Sequence, residues 1–495
     1  MGKYIEQTQF SAQDFTEFRN RLNENLKALQ LLLSQPDFGR GVPSFGAELE
    51  VYIIDAQGAA KPINMELQQL INDEQLTLEL NRFNLEYNFN PVGQEKAPFS
   101  RMCKQMTDVL FGLDEAAKTY QARILPIGIL PTLKASDMGL KALTDIPRYH
   151  ILANSLINKR GADFHIHIDG EDAVDFHWQD VTLEGAATSF QFHYRVDPEN
   201  FADTYNAAQL TTPLVLALSA NSPFFLGRKL WQETRIALFK QATDCRIQEA
   251  LDNHLPARVF FGFGWIRKDI YEMFAEAVHL FEPLIPVCSN CDPFVQMRAG
   301  QPPSLSELRL HMGTIWNWNR PIYDPHDNGH LRIELRSLPA GPTSSNMLAS
   351  AALMSGLMSG LHSRLSDILP GLPFRYAENN FYRAAKNGLQ AHLFWPDFKS
   401  GRIRERSVIS ILKELLPLAE EGLGLLGVGD SEITAQMKII NGGLESQING
   451  AQWQINMFDQ LIKKEDRKTA LTQLVENYHR EYQTGKAVHE WSDKI

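Results

Sequence analysis

The sequence is poor in cysteine. Its 495 residues include only Cys103, Cys245, Cys288 and Cys291. That is too few for the paired bridges of a long chain from an oxidising compartment, so a reducing, cytoplasmic setting is expected. Blocks of lysine and arginine are also missing, and the net charge is −11. Nucleic acid and anionic membrane surfaces are therefore not expected partners. Long apolar runs are absent too. The longest, Met347 to Leu361, is interrupted by serine and glycine and is too short to span a bilayer, which leaves a buried helix. No basic segment followed by an apolar stretch opens the chain, so no secretion leader is expected. Glu6 stands where myristoylation at Gly2 would need serine or threonine. The rest, with 44% hydrophobic and 22% charged residues, is an ordinary globular composition, long enough for a large catalytic domain with helical additions.

Phe15, Phe18, Leu22, Leu26 and Leu29 recur at helical spacing behind Ser11, a plausible N-cap, and predict a helix from Ser11 to Leu33. Pro36, Gly39, Gly41 and Pro43 mark a loop. Strand-like and helical stretches then intermingle to about Leu338. Helical text follows from about Ser344, broken at Pro370 to Pro373 and at Gly422 to Gly429, and ends in a polar, fraying tail. The expected plan is an N-terminal helical segment (1–44), a catalytic α+β domain (45–345) and a helical C-terminal region packed on it (346–495).

Four segments alternate with period two and gather their polar groups on one face. In Phe45 to Asp55, Glu48 and Glu50 oppose Ala47, Leu49, Val51 and Ile53. In Asn84 to Asn90, Asn84, Glu86, Asn88 and Asn90 oppose Leu85, Tyr87 and Phe89, with Glu79 and Asn81 just upstream. In Ser189 to Val196, Gln191, His193 and Arg195 oppose Phe190, Phe192, Tyr194 and Val196. In Leu331 to Leu338, Arg332, Glu334 and Arg336 oppose Leu331, Ile333 and Leu335. One such strand would be read as a solvated sheet face. Four of them, rich in Glu, Asn, Gln, His and Arg and nearly free of lysine, point elsewhere. Gathered carboxylates repel one another unless a cation sits among them. Hard oxygen ligands favour Mg²⁺ or Mn²⁺ over zinc.

These segments resemble, in order, the landmarks of the glutamate–cysteine ligase family of carboxylate–amine ligases, which shares the glutamine-synthetase-like sheet. Gly46, Glu48 and Glu50 match its Gly-x-Glu-x-Glu strand. Glu79 and Glu86 match two acids seven apart. Gln191 to His193 match a polar-x-His strand, and Ala220 to Phe224 reproduce an Ala-Asn-Ser-Pro-Phe phrase. Trp231, Glu233, Thr234 and Arg235 resemble its arginine-bearing segment, and Glu334 with Arg336 its Glu-x-Arg strand. The resemblance implies an α+β fold with a glutamine-synthetase-like antiparallel sheet forming a funnel-shaped active site. Glu48, Glu50, Glu79, Glu86, Glu334 and either Gln191 or His193 would hold Mg²⁺ (or Mn²⁺) against ATP. Arg336, with Arg320 or Arg332, would stabilise the transferred phosphoryl group, and Arg235, Asn88 and Asn221 would meet the substrates. The implied reaction joins the γ-carboxylate of glutamate to an amine, cysteine first, through an acyl phosphate, as in glutathione biosynthesis. The same strands would serve another amine, a phosphotransferase, or a non-catalytic nucleotide-binding subunit. Gln191 stands where many relatives place a histidine, and Pro339 where they often have aspartate.

Other signals are weaker. Cys288 and Cys291 form a Cys-x-x-Cys pair with no second pair beside it, and an ordinary structural role is expected. His165 and His167 share a strand face and are read as surface residues, with a metal role only if His193 proves remote. Trp316 and Trp318 are read as packed indoles, the alternative being Arg320 at the phosphates with the two aromatics walling the nucleotide. Gly262 and Gly264 lack the lysine, serine and helix start of a phosphate loop.

Overall fold

The computed structural model describes residues 9–397 and 401–493. Gly2 and Glu6 lie outside the described residues. The N-terminal helix α1 spans Ala12–Leu33, and Ser11 and Asp14 close a reciprocal capping box at its start. Phe18, Leu22, Leu26 and Leu29 are all buried.

The long strand β1 (Ser44–Asp55) is the centre of a seven-stranded sheet. On one side it pairs with β3 (Asn84–Gly93), which pairs with β2 (Leu76–Leu78). The short strand β4 (Ala122–Leu125) follows helices α2 (Asn64–Ile71) and α3 (Pro98–Lys118) and pairs with the far end of β1. Helix α4 (Pro147–Arg160) leads into a separate hairpin of β5 (Phe164–Ile168) and β6 (Val174–Trp178). On its other side β1 pairs with β7 (Phe190–Val196). Beyond helices α5 (Phe201–Ser219) and α6 (Thr234–Ala242) lie two small pairs, β8 (Phe224–Phe225) with β9 (Arg228–Lys229) and β10 (Val259–Phe260) with β11 (Trp316–Asn317). Strands β12 (Asn319–Asp324) and β13 (His330–Leu335) complete the sheet, β13 lying against β7. Every pairing within the sheet is antiparallel, and the sheet curls into a half-barrel.

Alternation divides the faces. Phe45, Ala47, Leu49, Val51 and Ile53 of β1 enter a core with Phe190, Phe192 and Tyr194 of β7 and Leu331, Ile333 and Leu335 of β13. Helix α3 packs on this face, with the Phe99 ring 5.4 Å from that of Phe45. The Ser344–Leu361 helix packs behind it, against α5 and the Val408–Leu425 helix. Glycine lets the last pair approach: a Cβ on Gly422 would lie 2.0 Å from the Gly356 carbonyl oxygen. Among the described residues, no helix is long and apolar enough to cross a membrane.

Two expectations fail in the C-terminal part. Residues His392–Pro396 and Ile403–Ser407 form an antiparallel hairpin within the stretch expected to be helical. The tail is packed over its described residues: Val488 and Trp491 are buried, with Trp491 edge-on to Trp453 and Tyr478.

Candidate active site

The other face of the sheet carries the acids. Register places Glu48 opposite Gln191 on one side and Asn88 on the other, and Glu50 opposite Glu86. On the next pair Glu334 lies opposite His193 and Arg320. This ladder brings together two trios whose ligand atoms lie within 4.8 Å of one another: Glu48, His193 and Glu334, and Glu50, Glu79 and Glu86. The residues that share the parity of Glu48 and Glu50 further along β1, Tyr52 and Ile54, turn instead into a second core, so the polar face is confined to one end of the strand.

The two trios have different electrostatics. In the first, Arg320 engages both oxygens of Glu334, with its Nη2 at 2.9 Å, and Arg336 stands 3.2 Å away. Burial would raise the Glu334 carboxyl, but Arg320, Arg336 and His193 outweigh it and hold it well below the usual range. Burial also opposes ionisation of Glu48, and its neighbours His193 and Arg320 overcome it. His193 Nε2 is buried, 3.1 Å from Glu48, with no well-formed hydrogen bond. Its Nδ1 accepts from Arg332 Nε at 3.1 Å, and Arg332 also donates to Asp324 at 2.7 Å.

The second trio has less counter-charge, and Arg336 acts there on Glu50. Burial, then Glu86, Glu50 and Glu184, push Glu79 well above the usual range. Burial, Glu48 and Glu50 push Glu86 up to about 8. Glu50 is raised by burial, although Arg336 and the Ser189 amide pull the other way. Neutral donors hold the trio in place: Thr77 and Asn88 donate to Glu86 at 3.0 and 3.2 Å. Both trios suit a small hard cation. The first has a buried nitrogen aimed at carboxylates, and the second has more negative charge than its side chains neutralise.

Two chambers open on these trios, and Glu48 lines both. One, of about 420 Å³, holds the second trio, Arg320, Arg336 and Tyr149. The other, of about 320 Å³, is lined by Asn88, His193, Arg195 and Arg332.

Several placements expected from the sequence need correction. Gln191 joins neither trio. Its oxygen accepts from Arg336 and its amide donates to Glu50 at 2.9 Å, so it bridges the two instead. Arg235 lies behind the chamber wall, 3% exposed, donating to Glu233 at 2.8 Å and to the Ser337 carbonyl at 2.6 Å. Asn221 is fully buried and donates to the Ala340 carbonyl and the Tyr478 hydroxyl, both at 2.8 Å. Neither is brought to the substrate chambers, because their polar groups are committed to partners in the interior. Arg332 lines the second chamber and donates to His193 there, rather than standing beside Arg336. His165 and His167 are exposed on the β5–β6 hairpin and face Asp175. Cys288 and Cys291 are free thiols.

Glu184, Tyr149 and Trp316 line the larger chamber. Glu184 lies in a single 3₁₀ turn, Glu184–Ala186, where no periodicity marks it in the sequence. Trp316 is legible in the sequence only as one of two alternating indoles; both stand edge-on to Phe239, but Trp316 also reaches the chamber.

Residues 44–422 match the family described as glutamate-cysteine ligase family 2. No curated protein sequence matches the chain. Among solved structures it is similar to a glutamate–cysteine ligase from Francisella tularensis in complex with AMP, with 11% identity, 91% of each chain covered and a TM-score of 0.55. It is also similar to a bifunctional glutathione synthetase from Pasteurella multocida, 10% identical over 93% of this chain and 55% of that one, with a TM-score of 0.44. The first likeness gives the half-barrel sheet as a glutamate–cysteine ligase fold. The family match spans the whole sheet and both trios, and with it the chain belongs to glutamate–cysteine ligase family 2 and is an ATP-dependent carboxylate–amine ligase.

Proposed function

We propose that the enzyme joins the γ-carboxylate of L-glutamate to an amine, with L-cysteine, the amine in the family's name, as the first to try. The observation that carries this reading is the pair of acid trios meeting on β1 beside Arg336. Glu50, Glu79 and Glu86 would hold one Mg²⁺, and Glu48, His193 and Glu334 another. When bound, Mg²⁺ neutralises the carboxylates and phosphate oxygens so that two anions can meet.

In the first step a γ-carboxylate oxygen attacks the terminal phosphorus of ATP. The new P–O bond forms as the bond to the bridging oxygen breaks, and ADP leaves. Arg336, held by Gln191 and Glu334, faces the larger chamber and stabilises the equatorial charge of the transferred group. Arg320 is committed to Glu334 and fixes that carboxylate; Arg332 orients His193 in the same way. In the second step the amine nitrogen, having given up one proton, attacks the acyl carbon. The C–N bond forms, and phosphate departs with the electrons of the C–O bond and takes up the second proton. Positioning and charge carry the rate, with no covalent enzyme intermediate.

Phosphate release from Mg–ATP with glutamate, measured as amino acids and amines are added singly, tests the reading. Release that requires one amine, with a product of glutamate plus that amine minus water, supports it. No release with any amine, despite ATP binding, overturns it.

A further inference from the structure

Three carboxylates suffice to hold one cation, and the larger chamber contains, besides that trio and Glu48 of the other one, a fifth carboxylate. Glu184 lines that chamber, and its carboxyl has no hydrogen-bond or ion-pair partner among the described residues. Its charge raises Glu79, and Glu184 is itself raised by burial and Glu50, which outweigh the opposing pull of Arg336. A half-buried carboxylate among other carboxylates is costly unless a cation arrives to meet it. Besides the metal, the ligase reading brings two ammonium groups into the site, that of the amine and the α-ammonium of glutamate, and the wall beside Glu184 decides between them.

Beside Glu184 the chamber changes character. Leu152 and Leu156 of α4, Val181 and Trp316 make an apolar wall. Phosphoryl transfer has no use for such a wall. Apart from the terminal phosphate, which meets Arg336, the phosphates of ATP are better matched by the second chamber, where Arg332 and Arg195 stand and Arg195 has no carboxylate partner among the described residues.

We infer that this part of the larger chamber is the amine subsite, an inference that rests on the ligase reading above. Glu184 receives the nitrogen of a primary amine, and Leu152, Leu156, Val181 and Trp316 take up an apolar body larger than the side chain of cysteine. The substrate class is a primary amine bearing an apolar group, rather than ammonia or a small polar amine.

The test uses the full chain with Mg–ATP and glutamate and the probes ammonia, methylamine, n-butylamine, phenethylamine and L-cysteine. The expected kcat/KM for the amine rises about fourfold per methylene along the alkylamines, the gain from burying each group, and exceeds that for cysteine. Glu184→Gln raises the amine KM about tenfold, with the KM for ATP and for glutamate and the Mg²⁺ dependence unchanged; a raised KM for glutamate instead would give Glu184 to the α-ammonium and overturn the inference. Leu152→Ala flattens the chain-length trend, and a thermal melt confirms that each variant is folded. A flat series, or cysteine as the best probe, overturns the inference. So does a changed Mg²⁺ dependence in Glu184→Gln, which would make Glu184 a metal ligand, or a raised KM for ATP in Leu152→Ala, which would seat the adenine on the wall. Absence of turnover with every amine would instead overturn the ligase reading itself.

Discussion

Glu48 and Glu50 stand two residues apart on one strand, yet their carboxyls are shifted in opposite directions. His193 and Arg320 surround Glu48 and lower it, whereas burial leaves Glu50 raised. Glu48 is the acid that borders both chambers. Replacing it removes charge where substrates meet, so Glu48→Gln should cut turnover at least about a hundredfold with the fold intact. ADP release and far-UV circular dichroism check this, and wild-type rates would remove Glu48 from the site. Arg235 gives a contrasting case. It neutralises the buried Glu233 and holds the Ser337 carbonyl, next to Arg336. Arg235→Met leaves Glu233 buried without its partner and should cost about 3 kcal/mol of stability in urea unfolding. A raised KM for glutamate at unchanged stability would mean that Arg235 grips the substrate after all.

At the scale of elements, close contact between helices accounts for the buried helix expected from Met347 to Leu361. The Ser344–Leu361 helix is apolar on every side because α5, α3 and the Val408–Leu425 helix surround it. Gly356 and Gly422 lie backbone to backbone, and a Cβ on Gly422 would fall 2.0 Å from the Gly356 oxygen. Gly422→Ala should push these helices apart and cost about 1–3 kcal/mol, read as a lower thermal midpoint; an unchanged midpoint would show that the contact is loose.

The same scale shows what the sequence makes legible. The four site strands are readable because strict alternation, with the apolar face buried and the polar face rich in acids, survives folding. Helix α1 is readable from its cap and apolar spacing. The His392–Ser407 hairpin is not, since Ile403–Ser407 (IRERS) is half charged and has no continuous apolar face. Asn221 and Arg235 are misplaced by the sequence because a phrase matched in order gives position along the chain, not burial. Glu184 cannot be found there, because one 3₁₀ turn has no period to read.

At the scale of the whole molecule, one apolar core runs from Phe18 through the sheet to Leu444 and makes the sheet rigid enough to hold uncompensated acids together. That has a consequence for stability. Glu86 titrates near about 8 in the folded chain and near 4.5 as an ordinary carboxyl; Glu79 and Glu50 are raised as well. The folded state therefore binds more protons than the unfolded one through this window. The stability these groups contribute is full below about 4.5 and is lost as pH rises through about 8. Mg²⁺ competes with those protons, so its stabilising effect should grow in the opposite direction. Scanning calorimetry without metal should show a thermal midpoint that falls between about pH 6 and about pH 8. Saturating Mg²⁺ should recover more of it at the higher pH than at the lower. Glu86→Gln should weaken this pH dependence, because an amide has no proton to exchange with the metal, and Glu79 and Glu50 would carry what is left. Equal Mg²⁺ gains at both ends of the range would mean that Glu50, Glu79 and Glu86 do not hold the metal.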